Sequence, residues 1–161
     1  MEFWKALISN YVLMSALSGW FFAQVIKVII GLFDRKYKNP FKLMFSTGGM
    51  PSSHTATVTA LCISTFISKG VGHPLFAVTL AFAAIVMVDA SGVRYQTGKQ
   101  SVIIKRITEK IFSEDADEIN AGLKELVGHT HMQVIMGALL GAVLAIVLKF
   151  IMDVPFTTLA V

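Results

Sequence analysis

Apolar residues in this chain come in long runs rather than in the short alternations of a soluble fold. A helix that crosses a bilayer needs about 20 mostly apolar residues. Four windows approach that length: 11–33, broken only by Lys27; 52–68; 72–90; and 132–151. Residues 126–148 carry no Asp, Glu, Lys or Arg. The pattern predicts an all-α polytopic membrane bundle of four transmembrane helices. Between the third and fourth windows lies a segment too long for a plain turn, which predicts structure of its own. Within it Val102, Ile103, Ile104, Ile107, Ile111 and Phe112 alternate with Lys105, Arg106 and Lys110 at helical spacing. That describes an amphipathic helix of the kind that lies on a bilayer surface. Asp115 followed by Glu118 reads as a capping box opening a second short helix, with Ile119, Leu123 and Leu126 on one face. The acidic run at 114–118 is read as that helix start rather than as a metal site. The amphipathic insert covers about residues 95–128.

Residues 3–10 read as an interfacial lead-in, with Trp4 and Tyr11 at headgroup depth, and not as a secretory signal. In the fourth window Gly137 and Gly141 form a GxxxG pattern that permits close helix contact. Packing within the bundle is the preferred reading over a dedicated dimer face.

Composition narrows the class. Of 161 residues, 55% are apolar and 15% charged, with a mean hydropathy of +0.68. Soluble domains run at roughly 45–50% apolar and about 25% charged. A disordered chain and an ordinary cytosolic domain are excluded, and one integral-membrane domain over 1–161 is expected. One cysteine, Cys62, excludes a disulfide framework, and no Cys/His spacing resembles a zinc site. No metal and no cofactor are expected. The net charge of +4 comes without a basic tail, so no nucleic-acid partner is expected.

The cations are unevenly placed. Four spans put both termini on one side, together with Lys5, Lys69 and Lys149. The segments 34–51 and 92–131 fall on the other side and hold Arg35, Lys36, Lys38, Lys42, Arg94, Lys99, Lys105, Arg106, Lys110 and Lys124. An excess of Lys and Arg marks the cytoplasmic face. The expectation is a multi-pass protein of the plasma membrane with its polar clusters on the cytoplasmic side.

Three polar clusters interrupt the apolar text, all on that side. The first is Gly48-Gly49-Met50-Pro51-Ser52-Ser53-His54-Thr55-Ala56, at the start of the second span. Free N–H groups at a helix start, with two hydroxyls, make an anion seat. A histidine there can exchange a proton near neutral pH. The second cluster runs from Asp89 to Arg94, with Gly98 and Gln100 beyond; an ionisable residue at membrane depth is a functional candidate by default. The third is Gly128-His129-Thr130-His131-Met132-Gln133, at the start of the fourth span. His131 is assigned a solvated or packing role. Lys27, after Gln24 near the end of the first span, either snorkels to the interface or aims its ammonium at the same anion as Arg94.

These residues resemble the divergent branch of the PAP2 superfamily, the membrane proteins related to acid phosphatases and vanadium haloperoxidases. The resemblance runs from Gln24 to Gly141. Residues 48–56 are similar to the superfamily's PSGH motif, with Ser53 in place of its Gly. The stretches 89–100 and 126–130 match the divergent branch in order and in position relative to the spans. The resemblance implies a phosphatase that passes through a phosphohistidine, with His129 as nucleophile and His54 as the acid that protonates the leaving alcohol. It implies phosphate binding by Lys27, Arg94, Ser52, Ser53 and Gly49. Asp89, Gln133, Glu125, Gln24 and Gln100 are supporting residues. The sequence departs from the superfamily at the first motif, where Lys27 is followed by Asp34-Arg35 without a proline. In the superfamily the Arg lies close to the nucleophile, whereas 34 residues separate Arg94 from His129. The aspartate expected four residues after the nucleophile is Gln133, which can accept a hydrogen bond but carries no charge.

The expected function is hydrolysis of a lipid phosphate or diphosphate at the cytoplasmic leaflet. The expected partners are that substrate, membrane lipids and a second protomer, since a homodimer would cover so small a core. A non-catalytic membrane protein that binds a lipid phosphate or another anion is the first alternative, favoured by Gln133. A small four-span ion-coupled transporter is the second.

Overall fold

The computed structural model describes residues 2–33, 49–111 and 130–155, with the main chain alone at 93–95, 99, 105, 109 and 110. The described residues form helices and no strands. They are α1 (Glu2–Ile8), α2 (Tyr11–Phe33), α3 (Ser53–Lys69), α4 (Pro74–Ser91), α5 (Val93–Ile111) and α6 (His131–Ile151). Among the described residues three stretches are long and apolar enough to cross a membrane: α2, the run Pro74–Thr108 through the α4–α5 junction, and α6.

The second predicted window is helical but is not among those three. α3 has 17 residues, about 25 Å of helix against roughly 30 Å of hydrocarbon. It is also rich in Ser and Thr. Its position accounts for its composition: it packs against α2, α4 and α6 together. A helix surrounded by protein can carry hydroxyls on faces that lipid would not tolerate, provided they bond locally. Thr57 Oγ1 donates to the Ser53 carbonyl at 2.8 Å and Thr65 Oγ1 to that of Leu61 at 2.7 Å.

Small residues set the spacing around α3. On α2 the buried positions Ser15, Gly19, Ala23, Lys27 and Gly31 recur every four residues, as do Gly137, Gly141, Ala145 and Lys149 on α6. They form ridges that fit against Ala56 and Ala60 of α3. A Cβ added at Gly19 would stand 2.7 Å from the Ala56 carbonyl oxygen, and one added at Gly141 would collide with the same group. The GxxxG pattern is used inside the chain, against α3.

These contacts fix direction. Gly137 lies over Ser52 and Thr55, and Gly141 over Ala56 and Ala60, so α6 runs parallel to α3. α2 runs antiparallel to both: Gly19 meets Ala56 while Lys27 reaches Ser53. The Tyr11 hydroxyl donates to the Ala145 carbonyl at 2.8 Å, at the opposite end of the bundle. Tyr11 is buried there against α6, whereas Trp4 of α1 is exposed. α4 folds back on α3 after a short turn, with the Phe66 and Phe76 rings 5.6 Å apart. Val58, Cys62 and Ala83 form a small apolar core with Phe76, Val86 and Met87.

Candidate functional site at the α3 and α6 N-termini

The antiparallel arrangement brings four helix ends to one end of the bundle: the last turns of α2 and α4 and the first turns of α3 and α6. Each is built by local chemistry. Ser52 is the N-cap of α3; its Oγ accepts from the Thr55 N–H at 3.4 Å and from Thr55 Oγ1 at 3.0 Å. Thr130 is the N-cap of α6 in a full capping box. Gln133 N–H donates to Thr130 Oγ1 at 3.4 Å, and Gln133 Oε1 accepts from the Thr130 N–H at 3.0 Å. The two starts are joined directly, because the Ser52 N–H donates to the Gln133 carbonyl at 3.0 Å.

Lys27 enters this group from α2. It is 2% exposed, and its Nζ donates to Ser53 Oγ at 3.3 Å. It does not snorkel. Gly49 lies over its aliphatic stem: a Cβ there would stand 3.8 Å from Cγ and Cδ of Lys27. Gly49 also has φ +86°, a left-handed conformation that favours glycine. The Met50–Pro51 peptide that follows is cis. Gln24, one turn before Lys27, is buried with its Oε1 unpartnered. Ser52, Ser53 and Thr55 are buried as well.

Electrostatically, this end holds a buried ammonium and two parallel helix N-termini, which carry partial positive charge. Burying a cation is costly without compensating partners. A lysine held between hydroxyls and amide dipoles is a setting in which an anion is stabilised.

The structure brings Lys27, Ser52, Ser53, Gly49 and the Gln133 main chain together. Gln24 lies one helical turn away. His54 is exposed on the first turn of α3, next to Ser53, and His131 is exposed on α6. Asp89 is half-buried on the last turn of α4. Gln100 is exposed on α5, which among the described elements touches only α4, so it is not brought to this group. Arg94 is in α5 by its main chain, and its side chain lies outside the described residues. His129, Glu125, Arg35 and the second short helix predicted after Asp115 also lie outside them. Two residues passed over in the sequence reading take part: Thr55 and Thr130. Thr130 had a signal, since Thr-His-Met-Gln has the spacing of a capping box. Thr55 had only its place three residues after a serine.

The sequence profile of the Divergent PAP2 family matches residues 8–144. The chain belongs to the Divergent PAP2 family. Its family segment includes α2, α3, α4, α5 and most of α6, and so the whole group around Lys27. The chain is also 41% identical over 154 residues to "Uncharacterized membrane protein YuiD" of Bacillus subtilis (strain 168), covering 89% of this chain and 97% of that protein. No solved structure matches it. This Divergent PAP2 member is a membrane protein with helices able to span a bilayer.

Proposed function

We propose that this chain is a phosphatase of the plasma membrane that hydrolyses a lipid phosphate or diphosphate at the cytoplasmic leaflet. One observation carries the reading: a buried lysine bonded to a serine of the PSGH-like motif, where two helix N-termini meet. Membership of a PAP2-related family agrees with it.

In this reading Lys27, Ser53 and the first-turn amides of α3 bind the phosphoryl oxygens and offset the charge that builds on them during transfer. Arg94 adds a second cation. His129 attacks phosphorus; a P–N bond forms as the P–O bond to the lipid alcohol breaks, and His54 gives that alcohol its proton. Water then attacks the phosphohistidine, the P–N bond breaks, and the proton lost by water returns to His54. The apolar tail lies along the lipid-facing helices while the headgroup meets the cradle.

The test is release of inorganic phosphate from a panel of lipid phosphates by the purified protein. Removing Lys27 as Lys27→Met lowers the rate by about a hundredfold or more, the usual cost of losing one transition-state partner. An unchanged rate removes the lysine from the mechanism.

One observation favours a second reading, a protein that binds the lipid phosphate without turnover. The Gln133 side-chain Oε1 accepts from the Thr130 N–H, so the side chain standing where the superfamily has its aspartate serves the helix start. Vanadate binding with no release from any substrate selects this alternative.

A further inference from the structure

Beyond Arg94, α5 has no part in the proposed chemistry, and among the described elements it touches only α4. We propose that α5 turns outward at Gly92 and lies on the anionic surface of the bilayer, its isoleucine face in the lipid.

The argument begins with register. Val78, Phe82 and Ile85 of α4 and Ile103, Ile107 and Ile111 of α5 are each at least half exposed. Counted in steps of three or four through the junction, they fall on one stripe, and the positions between them are Asp89, Gly92, Gln96 and Gln100. The stripe is therefore apolar, then polar, then apolar again. A neighbouring side of α5, at Gly98, Ser101 and Thr108, is buried.

A straight continuation of α4 would carry about 28 Å of helix past the bundle, with its isoleucines in water. A bend towards the lipid side changes that. The face that looks sideways into lipid on α4 then looks down into the bilayer on α5, and Gln96 and Gln100 sit at the bend, at headgroup level. Gly92 is where such a bend fits. Its φ and ψ are −100° and −85°, away from helical values, and an added Cβ would meet the Val88 carbonyl oxygen at 2.8 Å.

Charge selects the partner. Val93–Ile111 contains Arg94, Lys99, Lys105, Arg106 and Lys110 against Glu109 alone. Such a helix is drawn to anionic lipid. A second copy of the chain would set the same cations against each other, so it is the poorer occupant.

The experiment uses the full chain with Cys62→Ala, reconstituted in phosphatidylcholine vesicles containing a quarter phosphatidylglycerol. A bimane label is placed at Ile103→Cys, Ile107→Cys or Ile111→Cys, and off that stripe at the buried Gly98→Cys or Ser101→Cys. We expect lipid-borne doxyl groups to quench the first set about threefold more than the second, as for an apolar face sunk at the acyl boundary. The difference shrinks in pure phosphatidylcholine. Strong iodide quenching of the isoleucine positions, with no doxyl preference, places that face in water and overturns the proposal. Shielding from both quenchers means that protein covers it, which overturns it equally. A doxyl difference of the same size in both vesicles refutes the role of lipid charge. The three isoleucine variants are separate proteins, so one that misfolds does not decide the result.

Discussion

The amide of Ser52 donates to the carbonyl of Gln133 across 3.0 Å, and this bond ties the starts of α3 and α6 together. Both residues are also caps, Ser52 for Thr55 and Gln133 for Thr130. The phosphate-binding end proposed here is therefore built on two helix starts that hold each other in place. A change in either cap is felt by the other helix.

Gln133→Ala removes the acceptor for the Thr130 N–H and half of the capping box. The expected loss is about 1 kcal/mol of stability, read as a lower melting temperature in detergent. Gln133→Glu keeps an acceptor at the same reach and restores most of the loss. Equal melting of the alanine and wild-type proteins contradicts the capping role.

Gly141 has no room for a side chain, because any Cβ collides with the Ala56 carbonyl and the backbone at Ala60. Gly141→Ala forces α6 away from α3 and costs about 1–3 kcal/mol. Gly72→Ala is the control. Nothing lies within 4 Å of that position, so its effect stays within about 0.5 kcal/mol. Denaturant titration of the two variants side by side measures the difference, and equal stabilities contradict the close-packed α3–α6 contact.

Tyr11 works at the far end of the bundle. Its buried hydroxyl bonds the Ala145 carbonyl, and Tyr11→Phe removes that bond and leaves the carbonyl to its helical partner. A loss of about 1 kcal/mol is expected. Phosphate release per folded molecule stays at the wild-type rate, because the change lies more than three helical turns from Lys27. A rate that falls with Tyr11→Phe while the melting temperature holds contradicts this separation.

The helices were legible because lipid imposes a simple demand: Tyr11–Phe33 and His131–Ile151 are apolar for the length of a span. α3 was legible as a helix, but it is shorter and more polar than the three stretches able to cross a membrane. Its hydroxyls answer to protein neighbours, which hydropathy does not record. The glycines of α6 announced a close contact without saying with what, and only the fold supplies α3. Lys27 was visible as a charge in an apolar run. Whether it snorkelled or turned inward depended on Ser53, 26 residues away, and a pairing at that distance leaves no periodic mark. The role of Gln133 as a cap is written in Thr130-His131-Met132-Gln133, the spacing of a capping box.

The central claim is that the Lys27–Ser53 end of the bundle performs phosphoryl transfer with His129 as nucleophile. The most direct measurement is capture of the covalent intermediate after rapid mixing with a radiolabelled lipid phosphate and quenching in alkali, where phosphohistidine survives. The account predicts label on the wild-type protein and none on His129→Ala. Label that persists on His129→Ala, or release of phosphate by that variant at the wild-type rate, contradicts it.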